Sequence, residues 1–292
     1  MILENVDVVN DISKEDFQKN YFKKQKPLLI KNFASRWDAF DLWNLAYIRE
    51  KAGDQDVPLY DNKPADAAKS SDAPVAHMKM KDYIDTIKSK PSDLRIFFYI
   101  ITDRLPELLK NFTYPDLGIK FFKRLPTLFF GGSEAHVLMH YDVDLGDFMH
   151  IHFEGKKRIL LFDQKQSPFL YKVPLSVHTI YDVDYENPDY EKFPALKYAK
   201  GYEIFMEHGD ALFIPGAFWH FNRRRESRPK RGGRPARAAT AARTWPCTAF
   251  CARCRSGRSS PATRRRSIAS RSRPNAGWSS RESCTSRSTT PF

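Results

Sequence analysis

The chain has 292 residues and a formal net charge of +13, which is length enough for one large or two modest domains. The charge would suggest a nucleic-acid binder, but it is not evenly spread. Residues 1–222 carry 29 Lys and Arg against 33 Asp and Glu, a net of −4, while residues 223–292 carry 19 against 2, a net of +17, together with all four Cys.

Met1 to Asn5 lacks the basic start and apolar run of a secretory leader, and no apolar stretch approaches a membrane span. The expectation is a cytoplasmic protein with no membrane partner. Residues 11–24 read as a helix capped by Asp11 or Ser13, with Phe17, Tyr21 and Phe22 on one face. Lys26 to Lys31 reads as a short buried strand. Trp37 to Lys51 reads as a helix with Trp43, Leu45, Ala46 and Ile48 inward. Val57 to Tyr60 is a second strand, 61–75 a surface loop, Met80 to Lys88 a helix, and Arg95 to Ile101 a strand rich in aromatics. A polar, proline-marked passage leads to a strand at Leu125–Phe130 and a turn at Gly131 to Glu134. Strands follow at Val137–His140, Phe148–Glu154 and Lys157–Phe162, then a Pro- and Tyr-rich excursion over 163–200. Glu203 to Met206 and Ala211 to His220 complete the pattern, with a tight turn at His208-Gly209-Asp210. Many short strands after a mixed helical start predict an all-β barrel with helical decoration.

His140 and Asp142 stand two residues apart at the end of a strand, so both side chains can serve one face. A later strand also ends in a His, His220. Two imidazoles and one carboxylate are the facial triad that binds non-haem Fe(II) and leaves coordination positions open. His140, Asp142 and His220 are therefore the expected metal ligands and catalytic centre. A lone His is more often structural, which is the reading for His77, His136, His178 and His208. Asp144 and Asp147 read as loop carboxylates, and Trp219 as core or pocket wall.

His140-Tyr141-Asp142, Gly155 to Phe162, Asn187-Pro188-Asp189-Tyr190, Gly209 to Pro215 and Trp219-His220, taken in order, resemble the cupin-like JmjC family. Within it they are similar to the asparaginyl and tRNA wybutosine hydroxylases. Lys26 to Lys31 followed by Trp37 adds to the likeness, which covers about residues 10–222. The resemblance implies a double-stranded β-helix, a jelly-roll cupin of the JmjC type, with N-terminal helices. The chain then divides into an N-terminal α/β region over 1–100, a metal-bearing core over 101–222 and, by its composition, a separate tail over 223–292. The resemblance also implies an Fe(II)-dependent dioxygenase that consumes 2-oxoglutarate and O2 to hydroxylate or demethylate a protein side chain, a tRNA base or a small molecule. Lys157 occupies the family's position for the cation that holds the far carboxylate of 2-oxoglutarate. Tyr99 is a candidate donor to the same carboxylate. His150 and His152 alternate on one strand and are candidates to bond co-substrate or substrate.

The chain also departs from the family. His140 to Gly155 is two residues longer than the pattern, and Phe148 or Asp147 stands where an Asn lines the co-substrate site. The strand after His220, which should close the barrel, becomes Phe221-Asn222-Arg223-Arg224-Arg225. The helical region that makes the family's homodimer is absent, so a dimer is not expected here. From Arg223 the sequence has no Leu, Val, Met, Tyr, Asp, Gln or His and no periodicity. The abrupt, mid-strand change reads as a shift of reading frame, giving about 70 irregular or disordered residues. The alternatives are a native basic tail that binds nucleic acid and a cupin-fold binding protein without turnover. Cys247, Cys251 and Cys254, with Cys284, match an iron–sulfur spacing only superficially, since no (β/α) barrel is predicted around them, and paired zinc knuckles are absent.

Overall fold

The computed structural model describes residues 1–63, 73–224 and 247–255, with Arg224 and 247–255 described through their backbone alone. In chain order the strands are β1 Ile2–Asn5, β2 Asp7–Val9, β3 Leu28–Ile30, β4 Asp56–Leu59, β5 Ala76–Lys79, β6 Arg95–Ile100, β7 Lys120–Phe121, β8 Thr127–Gly131, β9 His136–His140, β10 Asp147–His152, β11 Lys157–Phe162, β12 Lys200–Met206, β13 Ala211–Ile214, β14 Trp219–Arg224 and β15 Cys247–Arg255. The α-helices among the described residues are α1 Lys14–Phe17, α2 Asp38–Leu42, α3 Leu45–Ala52, α4 Met80–Ser89 and α5 Ile101–Arg104. Among the described residues, no helix is long and apolar enough to cross a membrane.

Two sheets make the barrel, beside a separate two-stranded sheet of β4 and β5. One runs β1-β12-β11-β14-β9; the other runs β2-β3-β13-β10-β15-β8-β6, with β7 beside β15. The eight strands β8 to β15 divide four and four, β9-β14-β11-β12 in the first sheet and β13-β10-β15-β8 in the second, which is the jelly-roll order, so the expected mainly β, cupin-like architecture is present. Alternation along each strand sorts the apolar residues into three cores. Between the sheets lie Phe148, Ile159, Leu161, Ile204, Leu212 and Ile214. The outer face of the longer sheet, with Met149, Ile151 and Phe213, packs on the N-terminal helices through Trp43, Tyr83 and Ile84. The outer face of the shorter sheet, with Leu160, Phe162 and Trp219, is covered by Leu170, Tyr185 and Leu196 of the 163–200 excursion. That excursion contains two short 3-10 turns and no strand.

Several local expectations shift. Ser13 does cap α1, accepting from Asp16 N, but the helix continues only as one wide turn over Gln18–Phe22. The helix expected over 37–51 is two helices, because Asn44 leaves the helical conformation and caps α3 by accepting from Tyr47 N. The last run to His220 is two strands separated by a turn at 215–218. Within the tail expected to be irregular, Cys247–Arg255 is a strand paired with both β10 and β8. It is the closing strand of the barrel. β8 and β10 would otherwise leave facing edges of unpaired N–H and C=O groups, and a segment with Thr and Phe and without Pro or Gly can fill that slot. The remaining tail residues and positions 64–72 of the expected surface loop lie outside the described residues, as do Cys284 and the basic runs behind the nucleic-acid reading.

Candidate metal centre

His140 ends β9 and His220 is the second residue of β14; the two are direct partners in that ladder. Their rings lie 4.1 Å apart between centroids. Asp142 follows on the turn out of β9, with Oδ1 3.9 Å from His140 Nε2. One ligand atom from each of the three residues lies within 4.8 Å of the others. The structure thus brings together the three residues expected as ligands.

The tautomers follow from hydrogen bonding. His140 Nδ1 is 2.7 Å from the carbonyl of Leu138, and His220 Nδ1 is 3.1 Å from the carbonyl of Phe218. A carbonyl can only accept, so each Nδ1 carries the proton and each Nε2 presents its lone pair. Burial, and then the neighbouring His220, hold the His140 imidazole well below its ordinary pKa, while Asp142 opposes them. Each Nε2 thereby offers its lone pair beside a carboxylate, the donor chemistry a divalent metal needs. The group fits this donor set. His220 is 5% exposed, whereas the His140 and Asp142 side chains are 26% and 21% exposed, so the site opens on the Asp142 side.

Deeper on the inner face, Lys157 Nζ donates to His150 Nε2 over 2.9 Å. His150 is buried, and its pKa is pushed well down by that burial first and by Lys157 second. The pair is a charged ammonium on a neutral imidazole, set among Ile159, Leu161 and Leu212. His152 is placed differently: it is fully buried and its Nε2 donates to the carbonyl of Gly155 over 3.0 Å, bracing the β10–β11 turn.

Tyr99 is not brought to this interior. Its hydroxyl donates to Gln55 Oε1 over 2.6 Å and its ring meets Phe130 edge-on in the core under the N-terminal helices. The cause is a bulge in β6. Register slips between Ile96 and Tyr99, and Phe98 sits at φ 56°. The extra residue turns Tyr99 to the face of Ile96, against simple alternation.

Four contributors escaped the sequence reading. The carbonyls of Leu138 and Phe218 carry no side-chain signal. Asp147, read as a loop carboxylate, is fully buried and accepts from Gly216 N over 2.7 Å, tying the start of β10 to the turn that delivers His220. Asn222, read as the beginning of the break, is part of β14 and lies on the same face as His220. Only the two-residue spacing from His220 could have pointed to it.

Comparison with known proteins places these residues in a family. The cupin-like domain model matches residues 14–228. The tRNA wybutosine-synthesizing protein 5 of Gallus gallus is 26% identical over 236 residues, 73% of this chain and 71% of the relative. Lysine-specific demethylase 8 of Xenopus tropicalis is 26% identical over 217 residues, 72% of this chain and 48% of the relative. JmjC domain-containing protein D of Dictyostelium discoideum is 25% identical over 248 residues, 76% of this chain and 55% of the relative. The chain therefore spans about half the length of the last two.

Proposed function

Since the chain belongs to the cupin-like domain family, with JmjC-type relatives, we propose that it is an Fe(II)- and 2-oxoglutarate-dependent dioxygenase that hydroxylates a protein side chain or another macromolecule. The observation that carries this is the His140–Asp142–His220 cluster, with both Nε2 atoms freed by backbone acceptors. Those three residues hold the iron. The metal supplies activation of O2 coupled to oxidative decarboxylation of 2-oxoglutarate.

The chain's own residues supply the rest. His140 and His220 are fixed in orientation because each Nδ1–H is spent on the backbone, which turns each Nε2 toward the metal position. Lys157 takes the far carboxylate of 2-oxoglutarate. Among the described residues this cation has no carboxylate partner, and it donates instead to His150, a neutral group that an anion outcompetes. His150 then orients the ammonium. The apolar walls Ile159, Leu161 and Leu212 keep water from the interior and strengthen that charge pairing. The open side at Asp142, rimmed by exposed Val143 and Leu145, admits the substrate. Two relatives are named for tRNA wybutosine synthesis and lysine demethylation, which supports a macromolecular substrate and favours neither class.

The test is succinate formation by the full chain supplied with Fe(II), 2-oxoglutarate and O2. Turnover that disappears in His140→Ala and His220→Ala supports the assignment. An iron-loaded protein that forms no succinate, with or without candidate substrates, is a cupin-fold binding protein and not an enzyme.

A further inference from the structure

Among the described residues, the face of β14 that carries His220 holds a polar group that the fold leaves incomplete. Asn222 Oδ1 is buried without a hydrogen-bond partner. Asn222 follows His220 by two residues on β14, so both occupy the inner face. Its register partners are Ile159 on β11 and Val137 on β9. Lys157 is paired with Arg224 in the same ladder, which makes Lys157 the diagonal neighbour of Asn222 on that face. The amide therefore stands, in strand register, between a metal ligand and the interior cation.

A buried amide oxygen without a partner destabilises the fold that contains it. Its neighbours Val137 and Ile159 show what the position accommodates without that cost. An unmet polar group of this kind calls for a ligand or an ordered water. A rotated amide would present N–H to an anionic oxygen lying between the triad and Lys157.

We propose that Asn222 is a binding residue for the co-substrate, its side-chain amide donating to a dicarboxylate that spans from the metal centre to Lys157. This rests on the 2-oxoglutarate reading above and adds a contact to it. The cost in the empty protein and the gain in the bound one are two sides of the same unmet hydrogen bond.

The experiment is calorimetric titration of the full, Fe(II)-loaded chain with 2-oxoglutarate under anaerobic conditions, paired with melting of the metal-free protein. Asn222→Val should bind roughly tenfold more weakly, the worth of one hydrogen bond to a charged group, while the metal-free melting temperature stays level or rises. Asn222→Asp, nearly the same size, sets a like charge beside the ligand and should bind more weakly still. Wild-type affinity in either variant overturns the proposal. So does a fall in the Asn222→Val melting temperature combined with unchanged binding by Asn222→Asp, the pattern of a structural residue. If the wild-type chain itself takes up no 2-oxoglutarate, the co-substrate reading fails and this contact with it, an outcome separate from wild-type binding that the variants leave intact.

Discussion

Leu138 and Phe218 give only backbone carbonyls to the site, yet they decide what its two imidazoles can do, because each fixes a tautomer with Nε2 outward. Lys157 and His150 form the second decisive contact. Replacing Lys157 by Met should raise the 2-oxoglutarate concentration needed for half-saturation by roughly 10- to 100-fold, the loss of a charged hydrogen bond. The same change should let the His150 pKa climb, since Lys157 is the second cause of its depression. Titration with 2-oxoglutarate and histidine NMR read the two effects. His150 also carries a pH signature. Its folded pKa lies well below the ordinary 6.5, so the unfolded chain takes up the proton first. The stability this contributes is complete above about pH 6.5 and is lost as the pH falls below it. Urea midpoints measured from pH 7.5 to pH 5 should fall less steeply in His150→Phe than in the wild type. At this scale the triad was legible in the sequence, because His140 and Asp142 stand two apart and His220 lies within a recognisable run. Tyr99 was not, because a single bulged residue reverses the face of everything after it.

Strands and turns set those residues in place, and two irregularities matter most. In the β9–β14 ladder the register shifts between His220 and Asn222, so Val137 and not Leu138 opposes Asn222. The turn before β14 is held by contact with the loop after Asp142. A Cβ on Gly216 would stand 2.2 Å from the Leu145 carbonyl oxygen, and Gly216 N is bound to Asp147. Gly216→Ala should therefore cost about 1–3 kcal/mol of stability and weaken metal binding, because the two segments it forces apart carry Asp142 and His220. Denaturation and metal titration of that variant check both parts. Boundaries of the strands around the site followed from alternation and turn residues. The split of the last run at 215–218 did not, since Phe213 to Phe221 is nearly continuous in apolar character and gives no period to break.

Across the whole molecule, one interior and two outer cores account for why a chain of alternating short strands needs both an N-terminal helical layer and the 163–200 excursion: each covers one sheet's outer face. The mainly β, cupin-like architecture was legible because these patterns agree along 200 residues. The closing strand was not, because Cys247–Arg255 pairs through its backbone and its sequence carries no strand period. Arg223 still belongs to the designed part of the fold, since it meets Glu186, which lies beside Arg158 and its partner Glu203. Truncation after Arg224 should leave the β8 and β10 edges open. The expected result is a lower melting temperature and concentration-dependent association, seen by size-exclusion chromatography; an unchanged monomer of equal stability would show that Cys247–Arg255 does not close the barrel. The central claim is that His140, Asp142 and His220 form one iron site, and anaerobic titration of the full chain with Fe(II) tests it most directly. The account predicts one ion per chain, bound in the wild type and lost in both His140→Ala and His220→Ala. Equal binding in those variants, or none in the wild type, would contradict it.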